Sequence, residues 1–167
     1  MAQVEGVYTM PGLIPHPRHF PPKWSDHVLI HAVQVAVCLA WIMYMSLVLV
    51  GLFTGYGAMA TVYSPLHPAI AVAMSLMVIV GSVVTLWAVV SSTNRLDLAW
   101  KGHQVGLLTV GGGWFIFAMA YLTMPGAYWF SVVIGVSQFV VAAAGFVSVL
   151  FVERTTRAAI RDQGFEA

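Results

Sequence analysis

The chain has 167 residues, of which 60% are hydrophobic and only 8% charged. A soluble domain carries about 25% charged residues, so a water-solvated globular surface is excluded and the chain reads as a membrane protein. The net charge of +1 excludes bulk nucleic-acid binding, and a single cysteine, Cys38, excludes an intramolecular disulfide.

Residues 1–26 are rich in proline and histidine, ending in "PRHFPPKWSD". Its prolines break helices, so it is expected to stay in the cytoplasm or at the headgroups. Lys23 and Trp24 mark the boundary, and Ser25 or Asp26 is placed to cap the helix that follows. A region from 27 to 152 then holds four apolar segments, Val28–Phe53, Pro68–Ser92, Val105–Met124 and Tyr128–Val152. Each reaches the roughly 20 residues needed to cross the hydrocarbon core. None contains Asp, Glu, Lys or Arg. Backbone groups cannot stay unpaired in lipid, so the segments are predicted to be helices. Ala58-Met-Ala60 resembles a signal-peptide cleavage site, but the apolar run before it far exceeds a secretory core of roughly 7–15 residues, so the first span is read as uncleaved.

Turn chemistry separates the spans: Gly51, Gly55 and Gly57 after the first, Pro65 and Pro68 before the second, "SSTNRLD" after the second, and Met124-Pro-Gly126 between the last two. Basic residues occur before span one, between spans two and three, and in the 153–167 tail "ERTTRAAIRDQ". Four crossings put all of these on one side, which the positive-inside rule makes cytoplasmic. The expected fold is therefore all-α, a polytopic bundle of four transmembrane helices with both termini cytoplasmic. Tyr56, Tyr63, Tyr121, Tyr128 and Trp129 are expected at the outer boundary and Trp100 at the inner one, whereas Trp41, Trp87 and Trp114 are expected to pack within the bundle.

Candidate chemistry is sparse. His27 and His31, spaced i, i+4, would share a helix face, and His103 opens span three at the same boundary. Imidazoles on facing helices can hold haem or a transition metal; the alternative is interfacial histidines touching water or headgroups. With no second histidine tier and no carboxylate inside a span, no cofactor or metal is expected. His67 belongs to the opposite side. The absence of ionisable groups within the spans argues against ion-coupled transport, and no catalytic motif is present, so no enzymatic activity is expected.

Small residues are abundant at helix-packing spacing: Ala71 and Ser75, Ser131 and Gly135, Ala144 and Ser148, with Gly111, Gly112 and Gly113 in the middle of span three. Three adjacent glycines cover nearly the whole girth of a helix, so at least one must face another helix. Gln34, Gln104 and Gln138 can hydrogen-bond between helices, and Glu153 and Arg157 are placed for an i, i+4 pair in an extension of span four.

The short basic, proline-rich lead "HPRHFPPKWSD", the four uncharged spans, the loop "NRLDLAWKGHQVG" and the basic tail together resemble small four-span membrane proteins of actinobacterial bacteriophages, some of them holin-like lysis proteins. The resemblance implies lateral oligomerisation in the bacterial inner (cytoplasmic) membrane and a membrane lesion. It leads to a non-enzymatic, self-associating protein whose partners are the lipid bilayer and either further copies or a membrane complex, with no nucleic acid. Two other readings are an accessory or assembly subunit of a larger complex, or a phage exclusion or defence protein, and, third, a haem- or metal-binding electron-transfer subunit.

The topology is directly testable. Reporter fusions after Gly57 and Pro125 are expected to read outside, and fusions after Arg95 and at the C-terminus inside; a cytoplasmic signal at Gly57 would remove the four-span arrangement.

Overall fold

A computed structural model describes residues 31–55, 63, 65–91, 96–124 and 128–162. Four helices make up the described fold: α1 (Ala32–Thr54), α2 (Pro68–Ser91), α3 (Leu96–Leu122) and α4 (Trp129–Asp162). All four are long and apolar enough to cross a membrane. At 1.5 Å per residue, α1 is about 35 Å long and α4 about 51 Å, against a hydrocarbon core of roughly 30 Å.

The helix ends follow local chemistry. Gly55 closes α1 in the left-handed conformation (φ 70°), its N–H bonded to Gly51 O at 2.9 Å. Pro68 occupies the first position of α2, where its missing N–H costs nothing. His67, just before it, accepts the Ala69 N–H on its Nδ1 at 3.3 Å. Two helices are longer than their apolar stretches. α3 begins nine residues before Val105, because a polar first stretch with Asp97 at the positive helix end continues the backbone ladder without breaking the apolar run. α4 runs ten residues past Val152 because nothing in "ERTTRAAIRD" stops a helix.

α3 is the centre of the bundle. Half of its apolar stretch (50%) is buried, against 11% for α4. Its tightest neighbour is α2. A Cβ placed on Gly106 would lie 2.7 Å from Gly81 O and 2.8 Å from Thr85 N, and one placed on Gly81 would lie 2.7 Å from Gly106 O. Only hydrogen side chains permit that approach. On the other flank, Gly135 of α4 fits against Phe117 and Ala118 of α3, where a Cβ would meet atoms at 2.8 and 2.9 Å.

The glycine triplet is distributed among neighbours within the same chain. Gly113 faces α2: a Cβ placed there would lie 2.7 Å from a Val78 methyl and 3.1 Å from Met74 O. Gly111 faces α4, where a Cβ would meet Ala142 and Phe139 at ordinary contact distances of 3.6 Å and more, and one on Gly112 would meet only the flexible end of Met77, at 3.1 Å.

An aromatic column fills the end of the bundle opposite His103. Trp114 stacks on Tyr44 of α1 (centroids 6.1 Å apart) and meets Phe117 edge-on, which in turn packs on Tyr63 and Tyr121. Tyr63 and Tyr121, expected near the outer boundary, pack against protein, at 0% and 1% exposure. The Tyr63 hydroxyl reaches Tyr44 Oη at 3.1 Å. Burial first, and then Tyr44, push the Tyr63 hydroxyl above the usual tyrosine range. Trp87 departs in the other sense. It is 47% exposed rather than packed in the bundle, although its ring edge covers Gly102. Trp41 and Trp114 are buried as expected.

These approaches rank the glycines. Gly106→Ala is expected to destabilise by about 1–3 kcal/mol through overpacking against α2 backbone. Gly113→Ala should cost less, and Gly111→Ala should be nearly neutral. Thermal unfolding in a mild detergent checks the order.

Candidate functional site

At the end of the bundle where α1 and α3 start and α2 and α4 finish, the helices do not close on one another. They leave a cavity of about 520 Å³. Its back wall is α3, through Ala99, His103 and Leu107, with Ala88 and Val89 of α2. Its sides are α1, through Val33 and Val37, and α4, through Val141, Val149 and Val152. Val33, Val141 and Val152 are 79%, 46% and 54% exposed. The cavity therefore opens outward along the seam between α1 and α4, as a cleft.

Its polar groups sit at two levels. Near the mouth of the bundle, Gln34 of α1 donates from Nε2 to His103 Nε2 of α3. His103 is 6% exposed, and the His31 ring lies edge-on to it with centroids 6.0 Å apart. At the floor, Trp41 Nε1 of α1 donates to Gln138 Oε1 of α4 at 2.8 Å. Between these levels the lining is apolar, and its polarity comes from the Gln34 amide, the rings of His31, His103, Trp41 and Trp100, and the hydroxyls of Ser148 and Thr156 rather than from carboxylates, lysines or arginines.

Outside the cleft, the same end is tied by ions. Gln104 of α3 donates to Glu153 of α4. Arg157 bonds Glu153 (3.0 Å) and Asp97 (2.6 Å), and lies over the Trp100 ring at 5.2 Å. Arg157 and Asp97 are substantially exposed, so each ion pair is worth little alone. Together they fasten the end of α4 to the start of α3.

The structure thus brings His31 and His103 together, and it changes their reading. His103 is buried in the bundle and held from α1. His31 stands at the N-cap of α1, before its first helical residue and without a side-chain cap bond. His27, with the 1–26 segment and the caps proposed at Ser25 and Asp26, lies outside the described residues, as do Trp24, Tyr56 and Arg95. Among the described residues no three His, Cys, Asp or Glu side chains are grouped to hold a metal ion. His67 is at the opposite end of the bundle.

The small-residue pairs divide by helix. Ala71 and Ser75 are both buried on α2, with Ser75 Oγ donating to Ala71 O at 2.7 Å. Ser131 is half-buried beside the packed Gly135. Ala144 and Ser148 are exposed on α4, and Ser148 lines the cleft. All three glutamines make interhelical bonds. The cleft itself left no mark in the sequence, since a gap between helices has no residue pattern; only Gln34, placed one turn inside an apolar run, pointed toward it.

The sequence matches no protein-family model, and no curated protein or solved structure matches it.

Gln34 and His103 should couple. Gln34→Leu strands a buried imidazole and is expected to destabilise, whereas the Gln34→Leu/His103→Leu pair should recover part of the loss. A double-mutant cycle is expected to give a coupling near the roughly 0.6 kcal/mol typical of hydrogen bonds in membranes. A cycle that closes to zero would mean that the pair is not formed.

Proposed function

We propose that the protein is a non-enzymatic integral protein of the bacterial inner membrane, with both termini cytoplasmic, that acts by lateral self-association in a holin-like manner. The observation that carries this reading is the outward face of α4. Phe130, Val133, Ser137, Val140, Ala144, Val147 and Phe151 follow one another at intervals of three and four residues, and every one is exposed. That is the spacing of a seam between two helices. It lies across the helix from Ala142, which is buried beside α3. Lipid is as apolar as these side chains, so hydrophobicity gives no reason to pair; small residues at the centre of a seam do, by letting backbones approach. Ser137 and Ala144 occupy that centre. The overall resemblance to four-span phage proteins supports the same reading, and lateral assembly is what a membrane lesion requires.

In a symmetric pair, a residue on the seam meets its own copy. Single cysteines at Val140 and Val147, in a chain carrying Cys38→Ala, are expected to crosslink most of the protein as dimers on oxidation in membranes. A cysteine at Val80, exposed on α2, should give little dimer. Ala144→Phe should reduce the Val147→Cys crosslink several-fold, and expression of the parent should depolarise the host membrane. Crosslinks to a different membrane protein, with none between copies and no depolarisation, would replace this reading with that of an accessory subunit or exclusion protein whose α4 seam meets a foreign helix.

A further inference from the structure

We propose that the cleft between α1 and α4 is a binding site for a neutral, membrane-dissolved amphiphile, with its hydrogen-bonding head on Gln34 and His103 and its apolar body against Val37, Leu107 and Val141.

Four observations converge on this chemistry. First, the volume of about 520 Å³ lies within the roughly 300–1,000 Å³ of small-molecule sites, and mostly apolar walls with a few polar groups are their usual lining. Second, the cleft opens between α1 and α4 where both present exposed valines, so in a bilayer its entrance faces hydrocarbon. An apolar gap open to hydrocarbon forfeits dispersion contacts unless something fills it; the question is only whether the occupant is selected.

Third, the polar groups supply selection. An amide has two N–H donors and a carbonyl acceptor, and the bond to His103 uses one donor. Gln34 lines the cleft and brings a second N–H and Oε1 to a region with little water. A polar group in that setting favours an occupant that can pair with it. Fourth, the lining contains no Lys, Arg, Asp or Glu side chain among the described residues; its titratable groups are the imidazoles of His31 and His103, the latter buried. A charged head would enter uncompensated, so a hydroxyl or carbonyl head fits and a phosphate or ammonium does not.

Depth sets the size. Gln34 and Trp41 are seven residues apart, about 10 Å along the helix axis. The Trp41–Gln138 bond closes the floor at that level. Half a hydrocarbon core is about 15 Å, so a compact or short-chain body fits below the polar pair more fully than a long acyl chain does.

The test uses the full chain in phosphatidylcholine vesicles and two photoreactive probes, an eight-carbon alcohol carrying a diazirine and the matching alkane without the hydroxyl. Sites of labelling are read by mass spectrometry. The alcohol is expected to label cleft residues such as Val37, Val141 and Val149 at least fivefold more than Val80 or Leu108, which are 54% and 58% exposed elsewhere. Gln34→Leu should cut this cleft labelling at least threefold while labelling at Val80 holds. Gly145→Leu should also cut it, by occupying the cleft; a Cβ there meets only Leu107, at 3.4 Å and beyond, so the variant is expected to fold, and size-exclusion elution checks this. The alkane should show no dependence on Gln34. Uniform labelling of cleft and lipid-facing residues would overturn the proposal. So would cleft labelling by alcohol and alkane alike that Gln34→Leu leaves unchanged, because the cleft would then be a groove filled by ordinary lipid.

Discussion

The close approach of the α2 and α3 backbones at Gly81 and Gly106 is the contact on which the bundle depends. Between helices in lipid there is no hydrophobic drive, because lipid chains are as apolar as leucine. What remains is van der Waals fit, and fit is greatest where two backbones touch. At this crossing each glycine stands where a side-chain carbon would meet the other helix's carbonyl oxygen. The contact fixes the rotation of α3. With one face of α3 committed to α2, Gly113 falls on Val78, Gly111 on Ala142, and Phe117 on Gly135. Trp114 is then presented to Tyr44 of α1. The four-helix order is thus organised around the girth of α3.

Fit alone leaves register loosely defined, since a helix can slide by a turn along a run of small residues. The glutamines remove that freedom. Gln34 joins α1 to α3, Gln138 joins α4 to α1, and Gln104 joins α3 to α4. Sliding any of these pairs by one turn would separate donor from acceptor in surroundings where replacements are scarce. Each bond is worth little in the native register, but the alternatives are costly, so three modest bonds select one arrangement. The same logic explains the cleft. α1 is tied to α4 at mid-depth by Trp41 and Gln138 and to α3 at the end by Gln34, and between those two ties nothing draws α1 and α4 together.

Composition and hydropathy made the helix count and the approximate spans legible, because lipid enforces both. They left the start of α3 undefined, since a hydropathy run ends where charge begins, whereas a helix ends where its backbone ladder fails; the extension of α4 was legible instead from the i, i+4 spacing of Glu153 and Arg157. Charge likewise gave no sign that Arg157 would turn back to Asp97, sixty residues earlier. The burial of Tyr63 and Tyr121 was not legible for a related reason. An amphipathic ring near a span end suits a headgroup boundary, but it equally suits a buried column where one tyrosine hydroxyl satisfies another. His103 was legible as a residue at the right end and illegible as a buried one, because its partner Gln34 is 69 residues away. Which glycine of the triplet meets which helix also depends on the rotation of α3, and that is set at Gly81 and Gly106.

α4 carries different tasks on different faces. Gly135 and Ala142 bind it to α3; Val141, Gly145 and Val152 wall the cleft; Val133, Val140 and Val147 form the outward seam. Its long continuation past Val152 is anchored through Glu153 and Arg157, so the orientation of these faces is held at one end by ion pairs and at mid-helix by Gln138. Ala144 lies on the outward stripe and Ser148 on the cleft wall, one turn apart on the same helix. A second copy on the seam would cover Ala144 and leave the mouth of the cleft, framed by α1, open. An occupant in the cleft would rest on Gly145 and leave Val140 and Val147 free. The proposed association and the proposed amphiphile binding therefore make separate demands on α4, and either can fail without the other.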